Sequence, residues 1–354
     1  MALFAAVSGV ARADCPVCPY EDDGVCDEPR VCPLGTDAVD CAAVCAKDPD
    51  LAPVACSFRG APPPPAGPPA VPAANGSNGT GGVRGTWDGS LTAAGPRPNT
   101  EIQRFFRVYV PQRYDPAVPA PILYVMGGFR LSMYTLASYT EIERTADQNG
   151  FIAVLLEADW RDFGPQAGGW VWAWYVYGAG ATQTSCCPAC SLDPNYAEWE
   201  PVGDWGADPD VDFVRKLTAQ LEGLYNVDRS RIFVSGHSRG AGEAIILAYE
   251  LPGLIAGYDC ESGFADVNGF DRVMAAATGR RIPGVIVHGE ADQDVPFCSG
   301  KDIVDTLVKA GYVEGQDFLF YDLPGVTHRW QSWLNQPIWD FLSAHPLPLP
   351  GGSP

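Results

Sequence analysis

The chain is poor in positive charge, in histidine and in long apolar runs. Its 23 lysines and arginines face 43 aspartates and glutamates, for a formal net charge of −20. That balance argues against polyanions such as nucleic acid as partners, and an anionic membrane surface would repel the chain. It suits a chain kept soluble outside the cell. No apolar run is long enough to span a bilayer, and no internal repeat is visible. There are only four histidines, so any imidazole chemistry must come from His237, His288, His328 or His345.

What the chain does have is cysteine. Seven of the 12 lie between Cys15 and Cys56, and the other five are Cys186, Cys187, Cys190, Cys260 and Cys298. This usage points to an oxidising compartment. Residues 2–10 are apolar and Ala11-Arg12-Ala13 fits a small-x-small cleavage pattern, although a positively charged start is missing. Residues 1–13 are therefore expected to be the remnant of a signal peptide on a secreted protein. Residues 14–57 form a cysteine-dense, acidic module, and residues 58–98, rich in Pro, Gly, Ala, Ser and Asn, read as a linker. Residues 99–345 read as one globular domain, and 346–354 as a flexible tail. Both odd cysteine counts predict either one bridge between the zones or two free thiols.

The globular zone alternates strand and helix signals. Phe105–Val110, Ile122–Met126, Phe151–Leu156, Gly284–Val287 and Phe318–Tyr321 read as strands. Tyr139–Asn149, Asp208–Tyr225 and Pro337–Ser343 read as helices, the second carrying Val214, Leu217, Leu221 and Leu224 at helical spacing. Alternation of this kind predicts an α/β class, with a doubly wound, mostly parallel sheet.

The most informative segment is Arg231-Ile-Phe-Val-Ser-Gly-His-Ser-Arg-Gly240. An apolar strand runs into G-x-S-x-G and a helical pattern follows at once, the nucleophile elbow of an α/β-hydrolase fold. Glycines at 236 and 240 allow the sharp turn. The turn exposes the Ser238 hydroxyl, and the helix N-terminus aims N–H groups at the reaction centre. A nucleophilic serine needs a base and the base an orienting acid, in chain order Ser, Asp or Glu, His. His237 lies inside the elbow and is read as pointing elsewhere; His288 comes before any candidate acid, and His345 lies in the tail. His328, in the loop after strand Phe318–Tyr321, is the expected base. Asp292, in the loop after strand Gly284–Val287, is the expected acid, with Asp294 in reserve. For the oxyanion, the backbone N–H of Arg239 and that of Gly128 or Phe129 are the expected donors.

These blocks resemble, in order, the secreted esterases that include feruloyl and acetylxylan esterases and polyhydroxybutyrate depolymerases. Pro121–Gly128 is similar to their oxyanion strand, with Met126 where His is usual. Cys186-Cys187 ahead of Asp210-Val211-Asp212-Phe213, the approach Tyr225–Ile232, His288-Gly289-x-Ala291-Asp292-x-x-Val295-Pro296, and Gly325-x-x-His328-x-Trp330 match further blocks. The resemblance favours Asp292 over Asp294. It implies a serine carboxylic ester hydrolase with a Ser238–Asp292–His328 triad and no catalytic cofactor. Its substrate would be an ester, polymeric ones included, with feruloyl or acetyl esters of plant polysaccharide first and polyhydroxyalkanoate second. A non-catalytic extracellular binding protein on a hydrolase scaffold is the rival from another class. Arg239, where a small residue is usual, is a departure. Of the tryptophans crowding residues 160–205, most are expected to pack; Trp170 there, and Trp330 in the histidine loop, are expected to line the cleft.

The N-terminal module, with Asp22-Asp23-Gly24-x-Cys26-Asp27 and Gly35-Thr36-Asp37-x-x-Asp40-Cys41, looks like small calcium-binding Notch-type repeats. Asp23, Asp27, Asp37 and Asp40 are hard oxygen ligands suited to Ca²⁺. A zinc reading of Cys15-x-x-Cys18 is the rival, which an oxidising setting disfavours.

Overall fold

The computed structural model divides into two units, Met1–Pro63 and Pro64–Pro354. It describes residues 75–96, 99–162, 170–176, 208–265 and 279–348, all in the second unit. The N-terminal module, its four aspartates, the leader and Cys186–Cys190 lie outside the described residues.

Strand propensity and burial build one sheet of eight strands. These are β1 (Gly85–Ala94), β2 (Glu101–Val110), β3 (Ala120–Met126), β4 (Ile152–Leu156), β7 (Val227–His237), β8 (Gly257–Glu261), β9 (Gly284–Gly289) and β10 (Phe318–Leu323). Their order is β1-β2-β4-β3-β7-β8-β9-β10, and a separate hairpin pairs β5 (Asp159–Asp162) with β6 (Trp170–Ala173). The β1–β2 and β2–β4 pairs are antiparallel. Every pair from β4 to β10 is parallel. With the hairpin set aside, this is the strand order of the α/β-hydrolase fold.

The central strands are apolar without a break because both of their faces are covered. Ile122, Tyr124, Met126, Ile152, Val154, Leu156, Ile232 and Val234 face one core, where they meet Phe213, Leu217 and Leu221 of α3 (Pro209–Leu224) and Ala241, Ala244 and Ile245 of α4 (Arg239–Glu250). Leu123, Val125, Ala153, Leu155 and Phe233 face the other core. There they meet α1 (Met133–Thr140), α2 (Ile142–Asn149) and, after α5 (Phe297–Lys309) in the chain, α6 (Asn335–Ser343), with Trp339 stacked on Phe151 at 4.1 Å. At about 1.5–3 kcal/mol for each large apolar side chain removed from water, these two layers dominate the stability of the sheet.

Two expectations change. Residues 58–98 were read as linker, yet β1 lies within them and pairs along its whole length with β2. It is an edge strand whose half-buried face carries Trp87, Gly89, Leu91 and Ala93 and whose exposed face carries Asp88, Ser90 and Thr92, a short pattern set in a Gly- and Ser-rich stretch; its anchor is Trp87, whose indole donates to Tyr225 Oη at 2.9 Å. The single helix expected over Tyr139–Asn149 is instead the end of α1 and all of α2, broken at Glu141, which takes a left-handed φ of 55°.

Candidate active site

The site residues stand at the carboxyl ends of the parallel strands, where open α/β sheets form their crevices. β7 ends at His237 and Ser238 turns the chain into α4 at φ 57° and ψ −121°. A non-glycine residue held at positive φ costs about 1–3 kcal/mol. The packing around it enforces that conformation. A Cβ at Gly236 would sit 2.1 Å from the Gly240 carbonyl oxygen, and one at Gly240 would sit 2.5 Å from that of Gly127. The Ser238 N–H is tied to the Glu261 carbonyl at the end of β8 (2.8 Å), and its side chain makes no capping bond. The hydroxyl is therefore not spent on the helix it begins. Gly128, in the loop after β3, comes so close that a Cβ there would lie 3.0 Å from Ser238 Cβ. This places a candidate oxyanion donor beside the serine, with Phe129 next in the chain and Arg239 following the serine.

The loops after β9 and β10 meet through an acid and an imidazole. Asp292 Oδ2 accepts from His328 Nδ1 at 2.8 Å. Its other oxygen accepts the N–H groups of Asp294 (3.0 Å) and Val295 (2.9 Å). The carboxylate is thereby fixed in direction, and His328 is held with Nδ1 toward it and Nε2 left for chemistry. Asp294, the reserve acid, is exposed and contributes only its backbone. His288 also lies near Asp292: its Nε2 is 2.9 Å from the Val295 carbonyl and 3.5 Å from Asp292 Oδ2. Burial pushes the His288 pKa down, which keeps it neutral.

His237 does not point elsewhere, as its place in the elbow suggested. Its ring centroid lies 4.7 Å from that of His328 and 5.4 Å from that of Tyr139. The serine's chain neighbour thus packs against the candidate base, and β7 and the histidine loop come together. Burial lowers the His237 pKa well below the usual histidine range, and His328 and His288 nearby lower it further.

Two residues that sequence reasoning missed hold the histidine loop. The N–H of Trp330 donates to Tyr139 Oη at 2.6 Å, and that of Gln331 to Glu261 Oε2 at 2.6 Å. Neither residue sits in a motif, so only the fold reveals them. Trp330, expected to line the cleft, is 5% exposed and its indole donates to Asn335 Oδ1 at 2.9 Å. It fastens the loop to α6 and offers no open face. The backbone of Trp170 lies in β6 opposite Asp162; its side chain lies outside the described residues.

Under the elbow, Asp208, Asp210 and Glu243 bring ligand atoms within 4.8 Å of one another. This is the group of carboxylates closest to a metal-binding arrangement among the described residues. Asp210 is already engaged, with Arg104 at 2.5 Å and the Tyr175 N–H at 2.9 Å. Burial, with mutual repulsion, pushes the pKa values of Asp208 and Glu243 far up. Of the two cysteines among the described residues, Cys260 is buried and free and Cys298 is disulfide-bonded.

Residues 211–346 match the family model described as Phospholipase/Carboxylesterase. No curated protein matches the chain. Among solved structures, a ferulic acid esterase shares 14% identity over 74% of this chain and 99% of its own, with a TM-score of 0.47. A ferulic acid esterase from Anaeromyces mucronatus in complex with ferulic acid shares 16%, over 75% and 92%, with a TM-score of 0.46. A fluorophosphonate-binding serine hydrolase from Staphylococcus aureus shares 15%, over 73% and 99%, with a TM-score of 0.48. The chain has the α/β-hydrolase fold, and its matched region, from α3 to the residues just beyond α6, is similar to the Phospholipase/Carboxylesterase family.

Proposed function

We propose that this protein is a serine hydrolase of carboxylic esters. The observation that carries the reading is the 2.8 Å contact between Asp292 and His328 on a carboxylate pinned by two backbone N–H groups, with the His328 ring packed against the residue preceding Ser238. In the proposed reaction Ser238 Oγ attacks the ester carbonyl as His328 Nε2 takes its proton. The N–H groups of Arg239 and of Gly128 or Phe129 stabilise the oxyanion. Collapse expels the alcohol, which receives the proton from His328, and leaves an acyl-serine. Water, deprotonated by His328, then releases the acid and restores the hydroxyl. Asp292 holds the imidazole tautomer and balances its charge while protonated. No step calls for a metal or organic cofactor.

The motif resemblance supports feruloyl or acetyl esters of plant polysaccharide as substrates, ahead of polyhydroxyalkanoate, and the cysteine content supports secretion. The N-terminal module, with Asp23, Asp27, Asp37 and Asp40 as proposed Ca²⁺ ligands, would serve attachment. Hydrolysis of p-nitrophenyl acetate is expected to fall by at least about 10³-fold in Ser238→Ala. Equal activity in the two proteins would instead favour a binding protein on this scaffold. Acids released from feruloylated arabinoxylan and from polyhydroxybutyrate film distinguish the substrates.

A further inference from the structure

Two loops with no short covalent link must stay in register for an oxyanion to be held. The sheet aligns them only as far as Met126 opposite Gly236, where β3 ends; β7 follows one residue later at His237. Beyond that point Trp174, among the described residues, is bonded to both. Trp174, just after β6, is 1% exposed, and its indole Nε1–H donates to the Gly127 carbonyl at 2.7 Å. Its own carbonyl accepts Nε of Arg239 at 2.9 Å. The bridge is itself fastened. The Tyr175 N–H donates to Asp210 Oδ2, Asp210 pairs with Arg104, and the Arg104 guanidinium lies 5.7 Å from the Trp174 ring. Two residues earlier, the Trp172 carbonyl accepts the Arg130 N–H at 3.0 Å, so the Trp172–Trp174 segment holds the Gly127–Arg130 loop at both ends.

We propose that Trp174 is a positioning residue that sets the separation of the two oxyanion donors, one in the Gly128–Phe129 loop and the other at Arg239. The proposal rests on the serine-hydrolase reading above. Donors act only within about 2.7–3.1 Å of the developing charge, so a few tenths of an ångström between the loops matters. A buried hydrogen bond is well suited to fix such a gap, because losing it strands an unsatisfied carbonyl. A phenylalanine would keep a smaller aromatic ring in that space and remove the donor from the Gly127 oxygen. Arg239 also gains a purpose: its side chain is the second end of the bridge.

The test is Trp174→Phe in the full chain, assayed with p-nitrophenyl acetate and phenylboronic acid, whose boron takes up a serine oxygen to give a tetrahedral mimic of the intermediate. A cooperative melt establishes that the variant folds. The expected result is a fall in kcat of about tenfold, less than the loss of a whole oxyanion donor. KM stays within twofold, and boronate affinity weakens by a factor close to that in kcat. A folded variant with kcat within twofold, a loss confined to KM, or an unchanged boronate affinity overturns the proposal. If Trp174→Phe does not fold, Arg239→Met, which cuts the other end of the bridge, is judged by the same criteria. Ser238→Ala runs alongside: if it keeps full activity the serine reading itself fails, whereas an inactive Ser238→Ala beside a fully active Trp174→Phe sinks only the bridge.

Discussion

Asp292 and Glu243 are both buried acids within the same fold, and their surroundings are opposite. Asp292 has two N–H groups on one oxygen and an imidazole on the other. Glu243 is 0% exposed and neither of its oxygens has a hydrogen-bond partner among the described residues. Burial raises the pKa of Glu243 well above the usual carboxylate range, Asp208 and Asp210 raise it further, and Arg104 and Arg239 offset part of this. A carboxylate stays ionised inside a protein where N–H donors and positive charge replace its water. The Asp292 pocket is built to hold a carboxyl group and aim it; the pocket around Glu243 is built to suppress a charge.

That contrast can be broken by experiment. The largest effect is expected from Asp292→Asn, which keeps the shape but permits the wrong imidazole tautomer. Its kcat is expected to drop about 10³–10⁴-fold with little change in melting temperature, and a drop under tenfold would deny Asp292 its orienting role. A smaller effect is expected from Glu243→Gln, read as stability against pH. Because the folded-state pKa of Glu243 is raised, its proton is kept in the fold where the unfolded chain has already released it. Its contribution is fully present below the unfolded value of about 4.3 and is lost as pH rises above it. The wild-type Tm should therefore fall more steeply between pH 5 and 8 than that of Glu243→Gln, with each kcal/mol worth roughly 2–4 °C. Parallel curves would show that Glu243 stays charged. The smallest effect belongs to Asp294→Asn, exposed and engaged only through its backbone. Its kcat/KM is expected to stay within about twofold, as for most surface changes, and a larger loss would reopen the choice of acid.

The parts of the site readable in the chain were those whose chemistry is local. Gly236, Ser238 and Gly240 announce a bend because only that spacing permits it, and Asp292 and His328 follow strands whose apolar runs are unmistakable. Central strands were legible for the same reason, being buried on both faces. β1 was not: Trp87, Leu91 and Ala93 do alternate with Asp88, Ser90 and Thr92, but the short pattern sits among Gly, Pro, Ser and Asn residues whose composition reads as linker. Tyr139, Glu261 and Trp174 were invisible for a different reason. Each acts on a loop far away in sequence, through a backbone group that every residue carries, so no residue type at the far end signals the contact. His237 was misjudged because sequence adjacency to Ser238 says nothing about which ring it will meet.

The order of the strands has one more consequence. The bend carrying Ser238 and the loop carrying Gly128 are complete by the end of α4, whereas Asp292 and His328 both hang from the last two strands at one margin of the sheet. The candidate acid and base thus form a detachable pair, present or absent together. A chain broken between α4 and β9 would keep the candidate nucleophile and lose both the candidate acid and the candidate base.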